Sequence, residues 1–554
     1  MRDPHPLFQS PPMSSSSYPW VNELTHTMPE LVGWAAAQYG DDVFLVSETG
    51  AKISFGEFEA KVMQAAASFM AAGVAFGDRV AIWAPNSCEW IIACCGIQMA
   101  GGIMVPINTR FRGHEAGFIL ERTRAKILCT SGPFLGVDYV SMLTQARGGA
   151  GGATPVAELP ALAAILLIDG TAPAGKATGW EEFLSRQVSP AELAARRAQV
   201  KPSDTADILF TSGTTGNPKG AMHSHGQGIW MASLWIRAND LRHGDKELIV
   251  NPFFHSFGYR AGWVSCLLGG MTVYPVAVFD AVQVMQTIAR EKITVLMGSP
   301  TLFASIIDHQ DREKYDLSSL RAGHTGSANT PTELIAAGYE ILKFDLLLTS
   351  FGLTESTALV SYCSPGDSFE TIAKTVGKPI PGTEVKFIDA EGNAVPPGEG
   401  GELLIRGPNV MQGYFEDPEA TAKTIDAEGW LHSGDVGCIG ADGNLRIFDR
   451  IKDIVIVGGF NAYPVEIENV LRLHPAIADV AVIAVPDARM GEVVGACVVL
   501  HPGQTLTLQE LTAWTKERLA NFKLPRHLFV LPEIPKTALG KAQKFLLRQR
   551  VLGA

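Results

Sequence analysis

The sequence is short of charge, and what charge it carries is unbalanced. Asp, Glu, Lys and Arg together make up 18% of the chain, and the formal net charge is −12. An acidic surplus argues against nonspecific nucleic-acid binding and confines anion recognition to local basic loops. Its eight cysteines (Cys88, Cys94, Cys95, Cys129, Cys266, Cys363, Cys438, Cys497) show neither zinc-ligand nor disulfide-framework spacing. Several sit in apolar runs and read as reduced core residues. Long uncharged runs are scarce too. Trp90 to Ile107 carries no charge, but Gly101-Gly102 and Pro106 interrupt it. A buried helix (Trp90 to Ala100) and then a buried strand (Ile103 to Ile107) fits it better than a membrane-spanning helix. No secretory signal opens the chain; residues 1–20 are polar, rich in Pro and Ser, and read as part of a flexible leader, 1–24. The expectation is a cytoplasmic protein with no integral membrane segment and no nucleic-acid partner.

What is present is enough apolar material for several cores. At 554 residues and 46% hydrophobic, two or three folding units are expected. From residue 29 to about 145, short apolar strands alternate with helical segments: Val80 to Ala84 is a strand, 87–100 a helix, Ala125 to Cys129 a strand. This is βαβ grammar and predicts an α/β fold with largely parallel sheets. The run 147–155 reads as a Gly-rich surface loop without assigned function. The tail, 451–554, reads as a small α/β domain. Pro464 suits the first position of a helix, Val480 to Val485 and Ala496 to Leu500 are strands, and Leu508, Leu511, Leu519 and Phe522 line one helical face.

The chain is organised around Thr211-Ser212-Gly213-Thr214-Thr215-Gly216-Asn217-Pro218-Lys219-Gly220, which follows the strand candidate Ile208-Leu209-Phe210. Three glycines allow a tight turn that brings N–H groups to an anion, four hydroxyls add neutral donors, and Lys219 adds a compact positive charge. A nucleophilic serine would need a paired base, and none is adjacent. The Walker loop is excluded as well, since Pro218 precedes the lysine and no Gly-Lys-Ser/Thr follows. The remaining readings are a polyphosphate cradle or a surface Gly/Thr loop.

Other stretches carry polar residues in suggestive settings. In Asn251-Pro-Phe-Phe-His-Ser-Phe-Gly258, His255 stands among phenylalanines with no metal-ligand partners at suitable spacing. Arg260 is expected either to be solvated or to meet a second oxygen function on a substrate. Gly323 to Asn329 is a small-residue loop ending before Pro331, a helix start. Glu355 ends Thr349-Ser-Phe-Gly-Leu-Thr-Glu355, Asp435 ends Gly429-Trp-Leu-His-Ser-Gly-Asp435, and Lys536, Lys541 and Lys544 cluster near the end. Taken singly, each admits a plain surface reading.

In this order and rough spacing, from about residue 25 to 554, the stretches resemble the ANL adenylate-forming enzymes in their acyl-CoA synthetase branch. The resemblance implies a large N-terminal domain, 25–449, of βαβ subdomains with parallel sheets and a β-barrel-like portion. It further implies a hinge, 450–453, and a small mobile C-terminal domain, 454–554. It assigns Thr211 to Gly216 and Lys219 to phosphate, Glu355 to a magnesium ion, and Ser327, Ala328, Asn329, Ser350, Phe351, Gly352 and Thr354 to adenine. Phe351 stands where the family usually has tyrosine. Asp435 and Arg450 are the implied ribose contacts, Lys452 the hinge, and Gly458, Gly459 and Phe460 the coenzyme A face. His255, Phe257, Tyr259, Gly323, His324 and Thr325 are implied for the acyl pocket, with His255 as its gate. Lys541, aided by Thr211, Glu355 and His255, is the implied catalytic group. ATP, Mg2+ and coenzyme A follow, with a small carboxylic acid as substrate and possible pairing into a homodimer. No acidic residue falls between Asn251 and Gly270 to meet an ammonium, which disfavours amino acids. Asn251 to Gly262 and Ala277 to Asp280 resemble ligases of steroid-ring propanoates and of medium- and long-chain fatty acids. Transfer to a carrier protein, luciferase-type oxidation and an inactive nucleotide-binding scaffold are the alternatives.

Overall fold

Two large sheets face each other across a shared apolar interior in the computed structural model. It describes residues 24–553 apart from 150–154, 170–176, 212–217, 327–329, 459, 488, 517 and 538–539. In the eight-stranded sheet, Ile103–Pro106, Arg79–Trp83, Ile127–Thr130, Ala164–Leu167 and Thr178–Gly179 pair in parallel. At its other side Thr205–Thr211 and Lys219–Ser224 form an antiparallel pair that ends in the register Thr211↔Lys219. The nine-stranded sheet has a parallel middle of Leu346–Phe351, Ala322–Thr325, Val295–Gly298, Lys246–Ile249, Thr272–Pro275 and Val43–Val46. Strands such as Val295–Gly298 are buried at every residue, as helices on both faces require.

Helices Phe55–Ala71, Cys88–Met99 and His225–Ala238 fill the interior, where Phe44, Ile82, Trp90, Trp230 and Val295 belong to one core. Gly113–Thr123 and Tyr139–Arg147 cover the outer face of the eight-stranded sheet. Ala281–Glu291, Pro300–Ile307 and Thr332–Glu340 cover that of the nine-stranded one. The uncharged span 90–107 resolves as expected into helix Cys88–Met99, capped by Ser87, and strand Ile103–Pro106. No helix among the described residues is long and apolar enough to cross a membrane. All eight cysteines are free and buried.

A third, antiparallel sheet of Glu384–Ile388, Gly401–Arg406, Leu431–Ile439 and Leu445–Arg450 stands where a barrel-like portion was expected. The last sheet contains Val455–Val457, Phe460–Ala462, Ile477–Asp487, Gly491–Leu500 and His527–Val530. Pro464 is the first residue of its helix, Pro464–Arg472. The expected apolar face at Leu508, Leu511, Leu519 and Phe522 is not one helix. Helix Leu508–Lys516 buries Leu511 and exposes Leu508, while Phe522 belongs to a separate 3-10 turn, Asn521–Lys523. Two short turns folded onto one core satisfy the same apolar spacing. Pro331 caps the helix Thr332–Glu340 from outside its first turn.

Candidate active site

The carboxyl ends of the parallel strands Lys246–Ile249, Ala322–Thr325 and Leu346–Phe351 lead into the segments singled out by sequence. This is where open α/β sheets bind ligands. Thr211 and Lys219 flank the candidate phosphate loop, whose Ser212, Gly213, Thr214, Thr215 and Gly216 lie outside the described residues, as do Ser327, Ala328, Asn329 and Gly459. The Lys219 ammonium sits 5.0 Å above the Tyr414 ring, and the Tyr414 hydroxyl donates to Glu355 Oε1 at 2.8 Å. One aromatic residue thus ties the loop's cation to the candidate metal carboxylate. Glu355 rides on the 3-10 turn Thr354–Ser356, and its carbonyl accepts from Met411 N at 2.8 Å. Gly352 makes the turn possible, since a Cβ there would lie 1.9 Å from Ala358 O. Phe351 is half-buried against the core of the antiparallel sheet.

Asp435 and Arg450 are register partners on adjacent strands. Arg450 Nε donates to Asp435 Oδ1 at 3.0 Å, while Oδ2 is buried with no hydrogen-bond partner among the described residues. Burial raises the Asp435 pKa, and Arg450 and Lys541 pull against it. Glu355 repels the same carboxylate, so residues spread over nearly two hundred positions meet here.

The three C-terminal lysines separate clearly. Lys536 pairs with Asp479 at 2.7 Å and Lys544 with Glu468 at 3.0 Å, inside the last sheet and its helices. Lys541 has no ion-pair partner among the described residues, and its pKa is lowered, first by desolvation and then by Arg450, against the pull of Asp435. Its turn is fixed by Thr537 N donating to Lys541 O (2.8 Å) and Lys541 N donating to Thr537 Oγ1 (3.2 Å). Gly540, at φ +79°, lies so near the Pro300–Ile307 helix that a Cβ would come 2.9 Å from Thr301 Oγ1. The last sheet therefore docks with its free lysine in the cleft. Lys452 lies in the 3-10 turn Ile451–Asp453 linking this sheet to the preceding one. Beyond it Phe460 is 61% exposed and stacks on Phe522.

On the acyl side His255, His324 and Arg260 already have partners, while Thr325 Oγ1 and Arg260 Nε are buried without one among the described residues. His255 Nδ1 accepts from Phe257 N at 3.2 Å, which leaves its proton on Nε2, and burial followed by Arg260 takes its pKa down to about 4. His324 lies between Asn239 Oδ1 and Ser350 Oγ, at 2.7 Å each. Asn239 Nδ2 donates to Trp235 O, so its Oδ1 must face the ring and accept from Nδ1–H. Burial lowers the His324 pKa to about 3. Phe257 and Trp235 pack around that ring. Gly323 backs onto Leu347 and Phe344, and Thr325 is buried with Oγ1 lacking a partner among the described residues. Tyr259 departs from the expected role: it is a core residue, 2% exposed, whose hydroxyl accepts from Gln98 Nε2 at 3.0 Å and whose ring packs on Trp90 and Trp263. Arg260 fits neither of its expected roles. It is 1% exposed, and Asp207 accepts two hydrogen bonds from it at 2.6 and 2.8 Å. Burial alone would raise the Asp207 pKa, but Arg260 and His223 hold it below the usual carboxylate value.

Residues 32–415 match the model of the AMP-binding enzyme family, and residues 466–541 match that of the AMP-binding enzyme C-terminal domain. A propanoyl:CoA ligase of Rhodococcus jostii, named for a 7a-methyl-1,5-dioxo-octahydroindenyl propanoate, is 43% identical over 96% of this chain and 99% of its own. The chain belongs to the AMP-binding enzymes, in their acyl-CoA synthetase branch. A medium-chain acyl-CoA ligase of human mitochondria is 31% identical over 92% of this chain and 85% of its own. Among solved structures, an anthranilate CoA ligase bound to anthranoyl-AMP superposes with a TM-score of 0.85 at 29% identity, over 95% of this acyl-CoA synthetase and 97% of its own chain. ATP and coenzyme A are substrates of this ligase family, which makes acyl-adenylates and then thioesters.

Three residues at the synthetase's site escaped sequence reasoning: Tyr414, His223 and Asp207. Tyr414 follows Gly413 in an ordinary-looking segment, and only the pairing of Gly413–Tyr414 with Lys219–Ser224 brings it beside Lys219. Asp207 did carry a signal, being a lone acid in the apolar strand Thr205–Thr211.

Proposed function

We propose that the chain activates an apolar carboxylic acid with ATP to an acyl-adenylate, releasing pyrophosphate, and then passes the acyl group to coenzyme A with release of AMP. The observation that carries the residue roles is a pair of uncommitted charged atoms in one cleft. Asp435 Oδ2 is a buried acceptor without a donor among the described residues, and Lys541 feels the Asp435 charge but forms no ion pair there. An orphaned buried acceptor is costly, and the hydroxyls of a ribose would satisfy it. A carboxylate is a poor acyl donor until AMP becomes its leaving group. As pyrophosphate departs, charge grows on the α-phosphate. Lys541, Lys219 and the loop donors then act by electrostatic preorganisation. Glu355 fits a magnesium ion, which takes one or two protein carboxylates together with phosphate oxygens and waters. Bound there, the ion would supply further neutralisation of phosphate charge. Tyr414 holds Oε1 of that carboxylate in one orientation.

For the second half-reaction we assign the hinge to Lys452. Rotation there withdraws Lys541 and brings Gly458, Gly459 and Phe460 to the pantetheine arm. The acid we favour is a ring-bearing propanoate like that named for the Rhodococcus relative, with medium-chain fatty acids second. In support, the acyl side is aromatic, and the buried acid Asp207 beside it is already taken by Arg260. The test is pyrophosphate release across a panel of alicyclic propanoates, fatty acids and amino acids, with and without coenzyme A. Sustained release only with coenzyme A, together with a thioester product, is expected. A product formed only on an acyl-carrier protein would overturn the choice of acceptor. A preference for amino acids would overturn the choice of substrate.

A further inference from the structure

We infer that Asp207, Arg260 and His223 form a positioning unit that ties the acyl-side segment to the turn carrying Glu355. The inference rests on the role given above to Glu355. The three side chains come from three separate stretches and are 1%, 1% and 0% exposed. Arg260 lies in the segment Tyr259–Val264, kinked at Gly262, directly after the aromatic segment that holds His255 and Phe257. Its guanidinium donates twice to Asp207 and, at 3.3 Å, to Ser256 Oγ. Asp207 is the register partner of His223, whose Nδ1 lies 3.0 Å from Asp207 Oδ1. His223 Nε2 reaches Thr354 O at 2.8 Å; a carbonyl and an ionised carboxylate both only accept, so the ring bridges Thr354 and Asp207 by two hydrogen bonds when both its nitrogens carry protons. Thr354 opens the turn on which Glu355 rides.

The route is continuous: acyl segment, guanidinium, carboxylate, imidazole, turn carbonyl, metal carboxylate. It also runs along the strand Thr205–Thr211, which delivers Thr211 to the phosphate loop. A fully buried ion pair is poor value as a stabiliser, because desolvation takes back most of its Coulomb gain. Holding two walls of a cleft in register is a use that fits its position. None of the three residues touches the reacting atoms, so their effect passes through Glu355 and the acyl wall.

The test compares the two half-reactions of the full-length enzyme and measures ATP binding by titration calorimetry with and without Mg2+. His223→Leu is expected to slow adenylate formation by about 100-fold, as small misplacements at a catalytic centre do. Thioester formation from supplied acyl-adenylate is expected to stay at the wild-type rate. The same variant is expected to lose the Mg2+-dependent gain in ATP affinity while keeping metal-free affinity. His223→Gln, which can still donate to Thr354 O, restores part of both. The doubly neutral variant D207N/R260M leaves no buried ion unpaired, so it guards against simple unfolding, and is expected to show the same selective loss. Equal losses in the two half-reactions, or an unchanged Mg2+ increment in His223→Leu, would overturn the inference. A wild-type enzyme that releases no pyrophosphate with any acid would defeat the functional reading instead.

Discussion

The two sides of the cleft treat polar atoms in opposite ways. On the nucleotide side, Asp435 Oδ2 has no donor among the described residues, Lys541 forms no ion pair there, and Lys219 rests over an aromatic face. On the acyl side, His255 is bonded to its own helix, His324 to Asn239 and Ser350, Tyr259 to Gln98 and Arg260 to Asp207, and the charge is paired even though Thr325 Oγ1 and Arg260 Nε lack a partner among the described residues. Unsatisfied charge waits for a ligand that completes it, whereas satisfied groups define a shape. A site built this way recognises its nucleotide by hydrogen bonds and its acid by fit. Shape recognition discriminates weakly between apolar acids, at roughly 1–3 kcal/mol per methylene.

The strongest way to break this contrast is to remove the free cation. Lys541→Ala is expected to raise the adenylation barrier by about 3–4 kcal/mol. Thioester formation from supplied acyl-adenylate should be spared, because the proposed rotation about Lys452 withdraws the lysine before that step. Rapid-quench measurement of each half-reaction checks this, and equal losses would mean that Lys541 is not specific to adenylation. Because burial and Arg450 lower the Lys541 pKa, its ammonium is lost below the usual lysine range. Adenylation should therefore fall at alkaline pH earlier than an ordinary lysine would dictate, and Lys541→Arg should move that limb upward. Next in size, Asp435→Ala removes the acceptor proposed for ribose. A charge-assisted hydrogen bond is worth roughly 1.5–3 kcal/mol, so KM for ATP should rise about 10- to 100-fold. The KM for the acid should hardly move; a matching rise there would erase the distinction between the two sides.

The same contrast explains what could be read from the chain in advance. Parallel strands such as Ile127–Thr130 were legible because burial on both faces demands an unbroken apolar run. Thr211, Lys219, Glu355, Asp435 and Lys541 stood out in the chain because the nucleotide chemistry proposed for them calls for those residue types in that order, and the structure brings Glu355, Asp435 and Lys541 near one another. Arg260 and Tyr259 were not. A side chain whose partner lies 53 residues away, as Asp207 does from Arg260, leaves no local pattern. Tyr414 was hidden for the same reason, since its contact with Glu355 spans 59 positions. The helical face drawn through Leu508 to Phe522 failed differently. Apolar spacing records which residues face a core but not how many turns deliver them.

A third experiment sharpens the comparison behind the acyl wall. Glu247, on the strand leading to Asn251, is buried and accepts from Cys266 Sγ at 3.1 Å; burial takes its pKa up to about 8. The folded state then holds a proton that the unfolded state releases above its own, ordinary value. Stability from this group is full below the unfolded pKa of 4.5 and declines as pH rises toward 8. The slope is about 1.4 kcal/mol per pH unit inside that window. Glu247→Gln should flatten it in denaturant titrations at several pH values. An unchanged slope would show that the carboxyl is ionised in the fold.

The smallest expected effect is the most discriminating. His324 and His255, with pKa values lowered to about 3 and about 4, are both neutral through the working range. If the acid is read by shape, its KM should stay flat from about pH 5.5 to 8, across the ordinary histidine range. The sign for stability is opposite to that of Glu247. These rings favour the fold above the unfolded histidine pKa of 6.5 and stop doing so as pH falls toward 3–4. His324→Phe keeps the ring and drops both hydrogen bonds, leaving Asn239 and Ser350 without their shared partner. It should cost about 1–3 kcal/mol of stability and shift acid preference severalfold with ATP affinity little changed. A KM for the acid that titrates near pH 6.5 would mean that one of these rings meets the substrate as a charge. The acyl side would then be recognising polarity after all, and the proposed preference for apolar acids would have to be abandoned.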